Sequence, residues 1–114
     1  MDEIIEDDLP IKITNPVTVY TLNITSVNNN TGYTHFFTIN YYFGTDTGTG
    51  TGSNGQVVSD IEFDVNLNQL SFKSVYTNNY TWYPAFVLED NGSLTHVNLG
   101  GDNVYAATGT WSVE

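Results

Sequence analysis

From Tyr33 to Phe43 the chain reads Tyr-Thr-His-Phe-Phe-Thr-Ile-Asn-Tyr-Tyr-Phe, and this run constrains the fold more than any other. Tyr33, His35, Phe37, Ile39, Tyr41 and Phe43 fall on one side of a pleat, with Thr34, Thr38, Asn40 and Tyr42 on the other. The pattern predicts a central strand with one buried face. Phe36 interrupts the polar side, which predicts that the second face meets another segment as well.

The rest of the chain reads as shorter strands around this one. Ile11 to Thr14 is a short strand bounded by Pro10 and by Asn15-Pro16. Val17 to Val27 is longer, and its apolar positions change phase between Val19 and Tyr20, which suggests a bulge near Val19 or burial on both faces. Asn28-Asn29-Asn30-Thr31-Gly32 turns this strand into the central one, as a hairpin. Gly44 to Gly55 is a Gly/Thr repeat without an apolar anchor and reads as a flexible surface loop; no Lys and no helix follow it, so it is not a phosphate cradle.

Val57 to Val65 alternates again, with Val57, Ile61, Phe63 and Val65 opposite Asp60, Glu62 and Asp64. Closing a hairpin on Val65 and Leu70 would pair Phe63 with Phe72 and Glu62 with Lys73. Tyr80 to Leu88 contains Pro84, which places that strand at a sheet edge or makes it bulge. Glu89-Asp90-Asn91-Gly92 is a tight-turn signal of the primed kind, and Ser93 to Leu99 returns from it. A last strand, Val104 to Val113, follows Gly100-Gly101-Asp102-Asn103. About 7–8 strands at hairpin spacing, with no sustained helical period, predict an all-β fold: an antiparallel β-sandwich or small barrel, immunoglobulin-like or jelly-roll.

Size and charge narrow the class. A chain of 114 residues is one domain, and residues 10–114 are read as that single sandwich, preceded by an acidic arm at 1–9. With no cysteine there is no disulfide framework and no thiolate chemistry. Only Lys12 and Lys73 stand against thirteen carboxylates, for a net charge of -11, which argues against nucleic acid and anionic membranes as partners. The start, Met-Asp-Glu-Ile-Ile-Glu-Asp-Asp, has neither the basic nor the apolar region of a signal peptide. That leaves a chain used without secretion, or one whose leader has been replaced by Met1.

No motif specifies a reaction, and a non-enzymatic protein is expected. Asp60, Glu62 and Asp64 are a carboxylate cluster, but on the polar side of a strand, where nothing raises the pKa a general acid needs. His35 and His96 lack the spacing of a metal site, and His35 is expected to be a hydrogen-bonded core or interface residue. Glu89, Asp90, Asn91, Asp102, Asn103 and Asp46 are oxygen donors of the kind calcium prefers, though turns use the same residues. No cofactor is expected. Tyr76, Tyr80, Trp82, Tyr83 and Tyr42 are aromatics with polar tips, suited to stacking on sugar rings or to anchoring a protein interface, and Tyr42 and Tyr83 lie opposite the apolar faces.

In size, strand pattern and composition the whole chain resembles the small immunoglobulin-like auxiliary, or decoration, capsid proteins of tailed phages. The resemblance implies a structural virion component, assembled in the host cytoplasm and docked on other protein subunits; it assigns no site residues. Independently, the arm residues Ile4, Ile5, Glu6, Asp7 and Asp8, with Tyr42 and Tyr83, are the expected partner contacts, the isoleucines docking on a neighbouring subunit and the carboxylates facing basic groups there. The alternative is an extracellular carbohydrate-binding module or lectin with an aromatic glycan site, assisted or not by calcium.

Overall fold

The computed structural model describes residues 18–77, 79–97 and 105–114. The acidic arm, with Ile4, Ile5, Glu6, Asp7 and Asp8, and the strand expected at Ile11 to Thr14 lie outside the described residues.

β1 (Val19–Asn28) and β2 (Thr34–Tyr42) form the first hairpin, in unbroken antiparallel register from Val19 opposite Tyr42 to Val27 opposite Thr34. Asn28 holds the turn: its Oδ1 accepts the backbone N–H of Asn30 at 2.8 Å and of Thr31 at 3.2 Å. Leu22, Ile24 and Ser26 of β1 and Phe37, Ile39 and Tyr41 of β2 are buried, so each strand presents one core face. The change of phase near Val19 is therefore not a bulge; Val19 lies on the outer face. Phe36 also points outward and is 58% exposed, so no described segment covers the second face of β2 there.

The Gly/Thr repeat is a strand, not a loop. β3 (Thr47–Gly52) pairs along β2 from Tyr42 opposite Thr47 to Phe37 opposite Gly52. Threonine and glycine alternate with the pleat, so the threonines face outward and the glycines face the core. Glycine is required by contact: a Cβ on Gly48 would stand 2.6 Å from Ile61 Cγ2, and one on Gly50 would stand 2.8 Å from Val58 Cγ1. Glycine in a strand costs roughly 0.5–1 kcal/mol relative to alanine. Here it lets the second sheet close directly on the β3 backbone.

β4 (Val57–Asp64) and β5 (Gln69–Val75) form the second hairpin, two residues out of the expected register. Phe63 is opposite Leu70 and Glu62 opposite Ser71, rather than Phe72 and Lys73. The turn decides this. Asp64 Oδ1 accepts the N–H of Asn66 (2.9 Å) and Leu67 (3.2 Å), so the loop closes on Asp64 and Gln69, leaving Val65 76% exposed. A shift of two preserves the faces, so Phe72 remains in the core and Lys73 remains on the outer side. A bulge between Ser59 and Glu62, with Asp60 at a φ of 53°, then reverses the phase of β4. Val58 turns inward, and Val57, expected inside, is 62% exposed.

Pro84 divides the next strand into β6 (Thr81–Trp82) and β7 (Ala85–Leu88), both paired with β5. The strand is not at an edge, because β7 lies between β5 and β8 (Leu94–Val97). Fully buried Pro84 is tolerated because the ladder uses only its acceptor: its carbonyl takes the Phe72 N–H at 3.2 Å. Between β7 and β8, Gly92 alone has a positive φ, 88°, so the turn ends in one left-handed residue instead of being primed. β9 (Tyr105–Val113) returns to the first sheet beside β1, with Leu22 opposite Trp111.

The result is the antiparallel β-sandwich, with a four-stranded sheet β3-β2-β1-β9 packed on a five-stranded sheet β4-β5-β7-β8 in which β6 also pairs with β5. Both sides are shut. β3 meets β4 through its glycines, while Ser93 bridges Thr110 and Trp111 Nε1–H donates to the Glu89 carbonyl at 2.7 Å. In chain order the described strands run up and down around the sandwich; among them neither the immunoglobulin nor the jelly-roll Greek-key crossing occurs. Phe37, Phe72, Trp82 and Phe86 fill the middle of the core, with ring centroids 5.6 Å apart for Phe37 and Phe72.

Candidate functional site

Alternation brings aromatic rings to the core side at both ends of the sandwich, with opposite results. At one end Tyr20, Tyr41, Phe43, Phe63 and Trp111 interlock, for example with Tyr20 edge-on to Phe43 at 4.5 Å and Phe43 edge-on to Phe63 at 5.3 Å. The Tyr41 hydroxyl donates to Asp46 Oδ1 at 3.3 Å, and burial, reinforced by the Asp46 charge, pushes the phenol above its ordinary pKa. This end is closed.

At the other end the rings are tyrosines and an imidazole, and they leave a cleft of about 440 Å³. Tyr105, only 8% exposed, stacks on Tyr76 at 6.0 Å and forms the floor. Tyr33 and Tyr80, 70% and 41% exposed, stand at the rim. Local structure sets these positions. Tyr33 follows the Asn28 turn, and Tyr76 and Tyr80 are clamped by their own turn, in which Tyr76 N–H donates to the Tyr80 carbonyl at 2.9 Å. Asn28, Thr31, His35, Asn54 and Thr77 complete the lining, and none of the described lining residues is Asp, Glu, Lys or Arg.

His35 is fixed by a buried polar chain. Ser74 Oγ donates to Gln56 Oε1 at 3.1 Å, and Gln56 Nε2 lies 2.8 Å from His35 Nδ1, with Asn54 Nδ2 at 3.3 Å. Amide NH₂ groups only donate, so in this arrangement Nδ1 is the acceptor and Nε2 the donor. The expectation of a hydrogen-bonded histidine on the apolar side of β2 is met, and the ring also packs on Tyr76 at 5.2 Å.

The other candidate residues do not converge. Asp60, Glu62 and Asp64 are exposed on the outer side of β4. Tyr83, 63% exposed, lines a shallow surface depression with Asp60, Glu62 and Lys73, whereas Tyr42 is half-buried on the outer face of the other sheet. Trp82 is buried, and His96 packs against it and Phe86. The turn oxygens are used locally: Asn91 Oδ1 accepts from Ser93 N, and the Glu89 carboxylate accepts from Thr95 Oγ1. Among the described residues no three His, Asp or Glu side chains group as metal ligands; Asp102 and Asn103 lie outside them.

Of the cleft residues, sequence reasoning marked Tyr76, Tyr80 and His35 but missed Tyr33, Tyr105, Asn28 and Asn54. One signal was present. Tyr33, Tyr76 and Tyr80 all flank asparagine-rich turns, where a ring sits at a strand end; Tyr33 and Tyr80 remain exposed there, whereas the Tyr76 hydroxyl is buried. No protein-family model, curated protein or solved structure matches the chain.

Proposed function

We propose that this chain is a non-enzymatic binding protein that docks on other protein subunits of a larger assembly, and within that class a virion component such as a capsid decoration protein. The observation that carries the reading is the segregation of charge. The outer face of the four-stranded sheet presents Thr21, Asn23 and Thr25 of β1 beside Thr34, Thr38 and Asn40 of β2, with no Asp, Glu, Lys or Arg on any of its four strands. Exposed Phe36 stands among them, flanked by Asn23, Thr25 and Thr110 in a shallow depression of about 290 Å³. Interface cores are depleted of charge and enriched in aromatic rings. In a protein of net charge -11, a neutral face with one exposed phenylalanine supports a protein contact.

Phe36→Asp tests this. The variant should keep its melting temperature and lose co-sedimentation with the particles of the source organism. A variant that still co-sediments, or a wild-type protein that never does, rejects the reading. A second reading, a carbohydrate-binding module, is favoured by the tyrosine cleft.

A further inference from the structure

We infer that the cleft between Tyr33, Tyr80 and Tyr105 is a binding site for a neutral sugar of one or two rings; this rests on the second reading above and gives it a location and a ligand class. The volume of about 440 Å³ lies within the ~300–1,000 Å³ typical of small-molecule sites.

The lining selects the ligand. With no Asp, Glu, Lys or Arg among the described lining residues, nothing offsets the cost of removing an ionic group from water, and the overall charge of -11 further disfavours anionic sugars. No Val, Leu or Ile is among the described lining residues either, so a purely hydrocarbon ligand would desolvate phenols and amides without replacing their hydrogen bonds. Flat rings beside amides and hydroxyls match a molecule with a C–H face and a rim of hydroxyls.

The hydrogen-bonding groups are of both kinds. The Asn28 carbonyl oxygen is engaged by its own turn, so Asn28 offers its NH₂. Asn54 turns its NH₂ toward His35 Nδ1 at 3.3 Å, and its carbonyl oxygen is engaged by no described side chain. His35 offers Nε2–H, since Nδ1 accepts from Gln56. A sugar hydroxyl both donates and accepts, and uses all three. Aromatic grooves also hold proline-rich peptides, but such a backbone is poor in N–H donors and would leave the Asn54 oxygen and the threonine hydroxyls without their counterparts. The sugar is the better match.

A single hexose at ordinary ligand efficiency would bind with a Kd of about 1 mM, so the probes should include oligosaccharides. The full chain is applied to an array of neutral, sialylated and sulfated glycans and titrated with the best neutral hit, with a decaproline peptide in parallel. The expected result is binding to neutral glycans, weakened at least tenfold by Tyr33→Ala and by Tyr80→Ala and unchanged by Tyr83→Ala. Tyr33 is 70% exposed, so its variant tests the site without threatening the fold. Glycan binding that survives both cleft variants would overturn this site while leaving the carbohydrate reading standing. Absence of any glycan binding would overturn both. Preference for sialylated or sulfated glycans, or binding of decaproline alone, would overturn the ligand class.

Discussion

The two ends of the sandwich both gather aromatic rings from β2, β9 and the second sheet, and they differ in the polar tips those rings carry. At the closed end, Phe43 and Phe63 supply rings with no polar atom, and these fill the space between Tyr20, Tyr41 and Trp111. At the open end every phenyl ring carries a hydroxyl, and the imidazole of His35 is tied to buried Gln56. A phenol hydroxyl withdrawn from water needs a partner, and at the rim Tyr33 and Tyr80 keep contact with solvent while the Tyr76 hydroxyl and Tyr105 are buried beneath them. The closed end follows the same rule, because the hydroxyl of buried Tyr41 meets Asp46. The comparison teaches that rings without a polar atom, Phe43 and Phe63, complete the closed end, whereas the exposed tyrosines Tyr33 and Tyr80 leave the other end open at its rim.

The largest expected effect lies between the ends. Phe37→Ala removes a ring that is 2% exposed and packed on Phe72 and Trp82, and should cost about 3–5 kcal/mol in urea unfolding. A midpoint unchanged from wild type would show that the two ends do not share one core. The comparison itself is broken or upheld by a pair of variants. Phe63→Ala at the closed end should cost about 2–3 kcal/mol, while Tyr80→Ala at the open rim should cost less than about 1 kcal/mol. Equal losses would mean that the open end is part of the load the core carries.

Gly50→Val tests how the closed side is made. Its Cβ would press on Ile39 and Val58, and overpacking of this kind costs about 1–3 kcal/mol, whereas Thr49→Val on the outer face should stay within about 0.5 kcal/mol. The smallest effect is a pH dependence at the closed end. The folded-state pKa of Tyr41 lies above the unfolded one, because burial and Asp46 disfavour the phenolate. Its contribution is therefore complete below the ordinary tyrosine pKa of 10.0 and is lost as pH rises through the folded value. Denaturation midpoints should fall above about pH 10, and Tyr41→Phe should flatten that fall. A decline as steep in the variant would assign the alkaline loss to other groups.

How far the molecule can be read from its sequence depends on the range of the interaction that decides each feature. The faces of β2 were legible, because Phe37, Ile39 and Tyr41 follow a period that holds for any half-buried strand, whereas the phase change in β1 was read as a bulge or two-sided burial. The positions of the Asn28 and Gly92 turns were legible too, since the residues that shape them lie within the turns, although the Gly92 turn is not of the primed kind expected. The repeat Thr47–Gly52 was misread as a loop, although its strict alternation carried the strand signal. Glycine there reports close approach of Val58 and Ile61, and a sequence does not show which segment will lie above a strand. The β4–β5 register turned on two hydrogen bonds from Asp64 that compete with an equally regular pairing of Phe63 and Phe72.

The sequence by itself determined the all-β class, the inward faces of the main strands and the neutrality of the outer threonine face, because side-chain period and composition act locally and need no partner. Tertiary structure alone decided the rest. It placed Pro84 inside a sheet, joined the two sheets along β3 and β4, and gathered Asn28, Tyr33, Asn54, Tyr76 and Tyr105 around one cleft. Those residues come from five separate segments, and only the packing of β5 in one sheet against β1, β2 and β9 in the other brings them into reach of one ligand.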